Sequence, residues 1–195
     1  FFSTPTPPPA IPLRLVGSEM CIRDRDKSSE FLYKCLFKAN ISNQKNEKLI
    51  TGSKIYFGDT IIVSEQSNAQ ILLLDETALT IGEKSELTID DFVYDPQTKV
   101  GKIVSNIKVG TVRVITGEIS KQNPENLEVN IPTGSVGARG TEFIVVTESD
   151  KKSTVVLLGP GKRNTLGMIP GILNVSDGSN TVNISTPGFQ SVVFE

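Results

Sequence analysis

Residues 79–90 read Leu79-Thr80-Ile81-Gly82-Glu83-Lys84-Ser85-Glu86-Leu87-Thr88-Ile89-Asp90, so that Leu-Thr-Ile-Gly returns eight residues later as Leu-Thr-Ile-Asp. In each copy the apolar residues alternate with threonine, which is the period of an extended chain with one face turned inward. Residues 82–85 form the turn between the copies. Two strands of one pattern at this spacing suit either a hairpin or successive rungs of a coiled β ladder.

The pattern extends in both directions. Upstream, Ala69, Ile71 and Leu73 alternate with Gln70, Leu72 and Leu74, a composition suited to a strand buried on both faces. Asp75-Glu76 closes that strand with a turn. Segments 54–57 and 60–63 flank Gly58-Asp59, another turn signal. Segment 36–41 is a weaker strand, followed by a polar loop over 42–48. Downstream, strands are expected at 92–94, 102–108 and 111–116, with Gly110 and Gly117 as punctuation. Leu127, Val129 and Ile131 alternate with Glu128 and Asn130, and Pro132 ends the strand because it has no N–H for the ladder. Segments 142–147 and 154–158 are joined by the charged turn 148–152, and Gly159-Pro160-Gly161 is a loop. Segments 172–175 and 181–185 flank Asp177-Gly178, a hairpin signal, and 190–194 is a last strand. About a dozen short strands with regularly spaced turns argue for an all-β fold, arranged as a solenoid-like or sandwich-like roll. No stretch after Cys35 carries a helical period.

Composition narrows the chemistry. The chain holds 195 residues, with 20 Lys and Arg against 22 Asp and Glu and no His or Trp. A nearly neutral balance does not predict a surface that tracks phosphates, so nucleic acid is not an expected partner. Without His the chain lacks the side chain most used as a general base near neutral pH, and with it the common Ser-His-Asp and Cys-His sites and His-ligated zinc. No catalytic residue, metal ligand or cofactor is expected. No run approaches the ~20 apolar residues of a spanning helix.

Residues 1–14 are proline-rich and without period. Residues 15–25 read LVGSEMCIRDR, which resembles the translation of a transposase-type sequencing adapter. Residues 1–25 are therefore set aside as foreign to the protein and expected to be disordered. Residues 26–35 are ambiguous, a short helix or the remnant of a strand. With Cys21 set aside, Cys35 stands alone and reads as a small apolar residue, with no His or partner thiol to activate it. Both ends of the sequence read as cut, so a signal peptide is expected to have been lost with the N-terminus.

The order of motifs over 51–143 carries a resemblance. Gly58-Asp59-Thr60-Ile61 is followed by Ser67-Asn68-Ala69-Gln70-Ile71 and by Asp75-Glu76-Thr77-Ala78-Leu79-Thr80-Ile81-Gly82. Then come Ser85-Glu86-Leu87, Ile89-Asp90 and Phe92-Val93-Tyr94-Asp95-Pro96. Val129-Asn130-Ile131-Pro132 and Gly137-Ala138-Arg139-Gly140-Thr141-Glu142-Phe143 close the series. This series resembles a FecR-type domain, which implies an all-β fold with solenoid-like coiling. Well-known members of that family span the membrane, hold an anti-sigma segment inside the cell and sense a transporter from the periplasm. This chain shows neither anti-sigma helices nor a spanning segment, and its tail resembles stand-alone exported FecR-domain proteins, so iron signalling is not carried over. The resemblance implies a FecR-like β domain over 36–148 followed by a β-hairpin extension over 149–195. It also implies a periplasmic or extracellular location and a protein or envelope polymer as partner. The alternative is a structural or assembly β module within a larger surface protein.

The family-motif residues Gly58, Asp59, Thr60, Asp75, Thr77, Leu79, Gly82, Asp95, Pro96, Arg139, Gly140 and Thr141 are expected to be structural. Asp59, Asp75 and Glu76 read as turn residues that accept backbone N–H bonds. Asp90, Asp91 and Asp95 form the densest acidic cluster and suit a solvated rim, a hard-cation site or, more distantly, a paired-carboxylate hydrolase. Neighbouring residues on a strand point to opposite faces, which sets Asp90 and Asp91 apart. Arg139, flanked by glycines, suits either a structural fork paired with an acid such as Glu142, or a guanidinium offered to an anion. The basic pairs Lys151-Lys152 and Lys162-Arg163 read as solvated turns.

Overall fold

A computed structural model describes residues 14–15, 23–24, 32–33, 41–43, 49–53, 55, 58–164 and 167–194. The strands beyond residue 40 are β1 (Ile41–Asn43), β2 (Thr60–Val63), β3 (Ala69–Leu72), β4 (Ala78–Ile81), β5 (Ser85–Tyr94), β6 (Gly101–Ile115), β7 (Leu127–Ile131), β8 (Gly134–Arg139), β9 (Glu142–Ser149), β10 (Lys152–Gly159), β11 (Ile172–Ser176), β12 (Thr181–Ile184) and β13 (Gln190–Phe194). One short helix, α1 (Glu118–Gln122), and a 3-10 turn (Pro124–Asn126) separate β6 from β7. Together with a two-residue strand at Arg14–Leu15, these strands form one 14-stranded sheet. The expectations for 1–25, 26–35 and 36–40 fall outside the described residues, apart from two-residue strands at Arg14–Leu15, Arg23–Asp24 and Leu32–Tyr33. The strand expected at 54–57 also lies outside them, except for Ile55, which is buried. Among the described residues no helix is long and apolar enough to cross a membrane.

The long strand β6 organises everything else. Its first half pairs antiparallel with β5 and parallel with β7. Its second half pairs antiparallel with β4 and β9. In the first half the buried residues are Ile103, Ser105 and Ile107, all odd; in the second they are Val112 and Val114, both even. Because side chains alternate with a period of 2, this phase change turns the inward face from one half-sheet to the other. It falls at Gly110, where φ is +102° and a Cβ would stand 2.1 Å from Ser85 Oγ and 2.5 Å from Ser85 Cα. The Ser85 hydroxyl accepts the Thr111 N–H at 3.0 Å and so ties β5 to the same corner.

Two half-sheets therefore share one strand. The first runs β1-β2-β5-β6-β7-β8-β11-β12 and the second β3-β4-β6-β9-β10-β13. Between them lies a single apolar cluster that includes Ile61, Ile71, Ile81, Ile89, Val114, Phe143, Val145, Leu157 and Leu173. Its members are mostly β-branched residues, which fit a pleated surface. Full burial of each contributes about 1.5–3 kcal/mol. Strands β10 to β13 continue both half-sheets and place Val155, Leu157, Leu173, Val175, Ile184 and Val193 in the same cluster.

The fold is all-β, as read from the sequence. The echo at 79–90 resolves against the hairpin. β4 pairs with β3 and β6, and β5 pairs with β2 and β6, so the two copies are successive rungs on opposite half-sheets. Both put Leu and Ile inward and Thr outward, because both face the same core from opposite sides. The segments expected as separate strands at 87–90 and 92–94 are one strand, β5, with a register irregularity between Ile89 and Asp91. Those expected at 102–108 and 111–116 are the two halves of β6. Residues 42–43, expected in a loop, pair with Ile62 and Ile61. The glycine-rich stretch leading to Arg139, where no strand was expected, is a full strand, β8.

Candidate functional site

Polar side chains in this domain fall into two populations, one sewn into the scaffold and one left on its outer face. The densest knot of the first kind is the β3–β4 turn. Asp75 is fully buried there. Its Oδ1 accepts the Thr77 N–H at 3.1 Å, and its Oδ2 accepts the Thr77 hydroxyl at 2.7 Å and the Ile119 N–H at 3.4 Å. The Asp75 carbonyl accepts the Glu118 N–H at 2.8 Å, and Thr77 Oγ1 accepts the Gly117 N–H at 2.9 Å. A two-residue turn is thus stitched to the start of α1. The approach is so close that a Cβ at Gly117 would stand 2.1 Å from the Asp75 carbonyl oxygen. Burial pushes the Asp75 carboxyl up from its ordinary range, against the hydrogen bonds from Thr77 and Ile119, which lower it. Burial also pushes the nearby Tyr94 phenol up, helped by the negative charges of Asp75 and Glu118. Hydrogen bonds from Lys121 and Lys99 hold the Glu118 carboxyl down.

The other motif residues have local tasks. The Gly58 N–H, at φ +76°, donates to the Ile89 carbonyl at 2.9 Å. Asp59 precedes Thr60, whose hydroxyl shares a 2.9 Å hydrogen bond with Thr88. Leu79 is buried in β4, and the Gly82 N–H donates to the Thr111 carbonyl at 2.8 Å. Asp95, before Pro96, accepts the Thr98 hydroxyl at 2.7 Å and the Gln97 N–H at 2.9 Å, which holds its carboxyl below the ordinary range. Gly140 turns the chain at φ +57°. The Thr141 hydroxyl donates to the Gly159 carbonyl at 2.7 Å, and its N–H donates to Thr116 Oγ1 at 2.8 Å.

One sequence expectation changes, the partner of Arg139. Arg139 ends β8 opposite Ile172, and its Nε is buried with no hydrogen-bond partner among the described residues. Glu142, the acid expected beside it, pairs instead with Arg113 across β6 and β9, at 2.6 Å from Nη2 and 2.7 Å from Nε. The reason is alternation: Arg113, opposite Ile144, and Glu142, opposite Ile115, share the outer face of that half-sheet as diagonal neighbours. The acidic cluster also disperses. Asp90 is exposed at the irregularity of β5 and accepts from the Asn106 amide. Asp91 lies opposite Val104, and Asp95 caps its own turn. Among the described residues no group of three or more His, Cys, Asp or Glu is placed to hold a metal ion.

The second population is a row that no single strand reveals. Thr60, Thr88, Asn106, Asn130, Ser135, Ser176 and Thr181 are successive register partners across β2, β5, β6, β7, β8, β11 and β12. A parallel row runs Val104, Glu128, Gly137, Asn174, Asn183. All of them lie on the face away from the core. At one end the side chains satisfy one another, Thr60 with Thr88 and Asn106 with Asp90. At the other, the side chains of Glu128, Asn130, Ser135, Asn174 and Thr181 make no hydrogen bond or ion pair among the described residues. There the surface dips at Gly137, which has no side chain, into a cavity of about 340 Å³ that Glu125 and Leu127 also line. The alternation of Glu128 and Asn130 with buried neighbours was visible in the sequence. What brought them beside Asn174 was the pairing of β8 with β11, which local pattern does not encode.

The family model for FecR protein matches residues 59–160, more than half of the chain, from the strand after Gly58 to the end of β10. No curated protein matches the chain.

Proposed function

We propose, because the chain belongs to the FecR family, that it is a non-enzymatic recognition or sensing module of the bacterial cell envelope, acting in the periplasm or outside the cell. The observation that carries this reading is the division of polar groups. The motif residues Asp75, Thr77, Gly82, Asp95, Gly140 and Thr141 serve turns and corners, and we assign them a scaffolding role. Gly58, Asp59, Thr60, Leu79, Pro96 and Arg139 belong to the same assignment. What remains for contact is the broad outer face of a rigid sheet. A rigid surface with free side chains suits binding, because little ordering is needed when a partner arrives. Chemistry at a reacting bond has less support: the chain has no His, and Asp90, Asp91 and Asp95 point to different surroundings.

The reading is tested in cells of the source bacterium carrying the intact gene. The protein is expected in the periplasmic or outer-envelope fraction, shielded from protease until the envelope is opened. Recovery in the cytosol overturns the envelope assignment. Turnover of a glycan or ester substrate by the purified chain overturns the non-enzymatic one.

A second reading, an assembly module within a larger surface structure, rests on β13. Its sequence, Gln-Ser-Val-Val-Phe, carries no charge or proline, and Val192 and Phe194 are exposed. Among the described residues β13 pairs only with β10, and an edge of this kind accepts a further strand. Light scattering distinguishes the readings: growth of the particle with concentration supports assembly, and a constant mass removes it.

A further inference from the structure

We propose that the cavity on the outer face of β7, β8 and β11 is a binding site for a neutral, hydroxyl-rich glycan chain. The proposal rests on the recognition reading and specifies its ligand class. The cavity, about 340 Å³, falls within the size range of small-ligand sites. Glu128, Ser135, Asn174 and Thr181 line it, and Asn130 stands beside Ser135 in the same row. These side chains supply amide donors, hydroxyls and carbonyl or carboxylate acceptors, none of them engaged elsewhere among the described residues. Sugar hydroxyls both donate and accept, and they complement such a mixture. Strands bring the side chains forward about every 4.8 Å, close to the advance of one sugar unit along an extended glycan.

Other ligand classes fit the site poorly. Among the described residues no Lys or Arg lines the cavity, whereas Glu125 and Glu128 do; phosphate backbones and acidic polymers meet negative charge there. A peptide added as a strand finds no backbone to pair with, because β7, β8 and β11 are each hydrogen-bonded on both edges. A protein surface docks best on aromatic or arginine anchors, and among the described residues none lines this cavity. The opposite end of the row, at Thr60, Thr88 and Asn106, is excluded for a different reason: its groups already bind one another or Asp90.

The test titrates the full chain with three neutral hexasaccharides (cello-, malto- and N-acetylchito-hexaose), with hexagalacturonate, and with an uncharged decapeptide. Binding is followed by calorimetry and by the NMR signals of the Asn side-chain amides. At least one neutral hexasaccharide is expected to bind and to shift the Asn130 and Asn174 signals, while hexagalacturonate does not. Losing one hydrogen bond weakens binding roughly five- to tenfold. Asn174→Ala, and separately Ser135→Ala, should do so with unchanged melting, and Thr88→Ala should bind as the parent does. No binding of any neutral hexasaccharide at millimolar concentration overturns the proposal, as does binding that Asn174→Ala and Ser135→Ala both leave intact. Binding of the decapeptide at these residues overturns it in favour of a protein ligand. An envelope location that persists without glycan binding would sink this site alone and leave the recognition reading standing.

Discussion

The Asp75 turn and the Asn174 cavity are built from similar atoms, carboxylates, amides and hydroxyls on β-strands, and they end in opposite conditions. At Asp75 every carboxylate oxygen has a partner, supplied by Thr77 within the turn and by Ile119 from a helix start far along the chain. At Asn174 the neighbouring side chains of Glu128, Ser135 and Thr181 face outward and have no partner among the described residues. The difference is position relative to the core. A buried polar atom without a partner costs the full loss of its hydration, so inside the fold each group must be satisfied. On the outer face water satisfies it, and the group stays free to exchange water for a ligand.

This contrast can be broken by experiment. The largest effect is expected at Gly117→Val, which would drive a side chain into the Asp75 carbonyl and the Thr77 backbone. The loss should be on the order of 4 kcal/mol, because backbone cannot move aside, and a thermal melt by circular dichroism would reveal a native melt as the contrary result. Asp75→Ala leaves the N–H groups of Thr77 and Ile119 and the Thr77 hydroxyl unmatched, and should cost about 3 kcal/mol in urea unfolding. A cost below about 1 kcal/mol would mean that water replaces the carboxylate and that the turn is open to solvent.

A smaller and more diagnostic effect concerns pH. Burial raises the folded carboxyl of Asp75 above its ordinary value of 3.8. A raised folded value means that this group's contribution is fully present below the unfolded value and is lost as pH rises through the folded one. The stability of the parent minus that of Asp75→Asn should therefore fall as pH is raised from 3.5 toward neutrality. Taking the difference removes Asp95 and Asp177, whose lowered carboxyls act in the opposite sense. A difference that rises with pH would show that the hydrogen bonds outweigh burial. Smallest of all is Asn174→Ala, expected to change stability by less than about 0.5 kcal/mol, since it removes a group that holds nothing together. A loss above 1 kcal/mol would place Asn174 with the scaffold and erase the contrast.

How much of this was legible depended on the reach of each signal. The turns at Asp75-Glu76, 148–152 and Asp177-Gly178 were readable because a few adjacent residues carry them. The inward and outward faces of β4 and β7 were readable because alternation is local. The phase change in β6 was not: Gly110 read as a break between strands, when its positive φ and close contact with Ser85 let one strand pass from one half-sheet to the other. Helix α1 was missed because five residues cannot display a helical period, and its place is set by contacts with Asp75. Strand β8 was hidden by its glycines. Arg139 was assigned the nearest acid in sequence, whereas cross-strand register gives that acid to Arg113. The polar row is a property of six strand pairings, so its members looked like ordinary solvent-facing positions until they were laid side by side.

Strand β6 carries one further consequence. Because both half-sheets hydrogen-bond to it, neither can be peeled away without stripping one half of the same strand. The domain should open as one cooperative unit, with amide exchange along β6 slowing to the global rate on both sides of Gly110. Division of labour on the surface therefore coexists with an interior that cannot be divided: an event that loosened either half would be felt by the other.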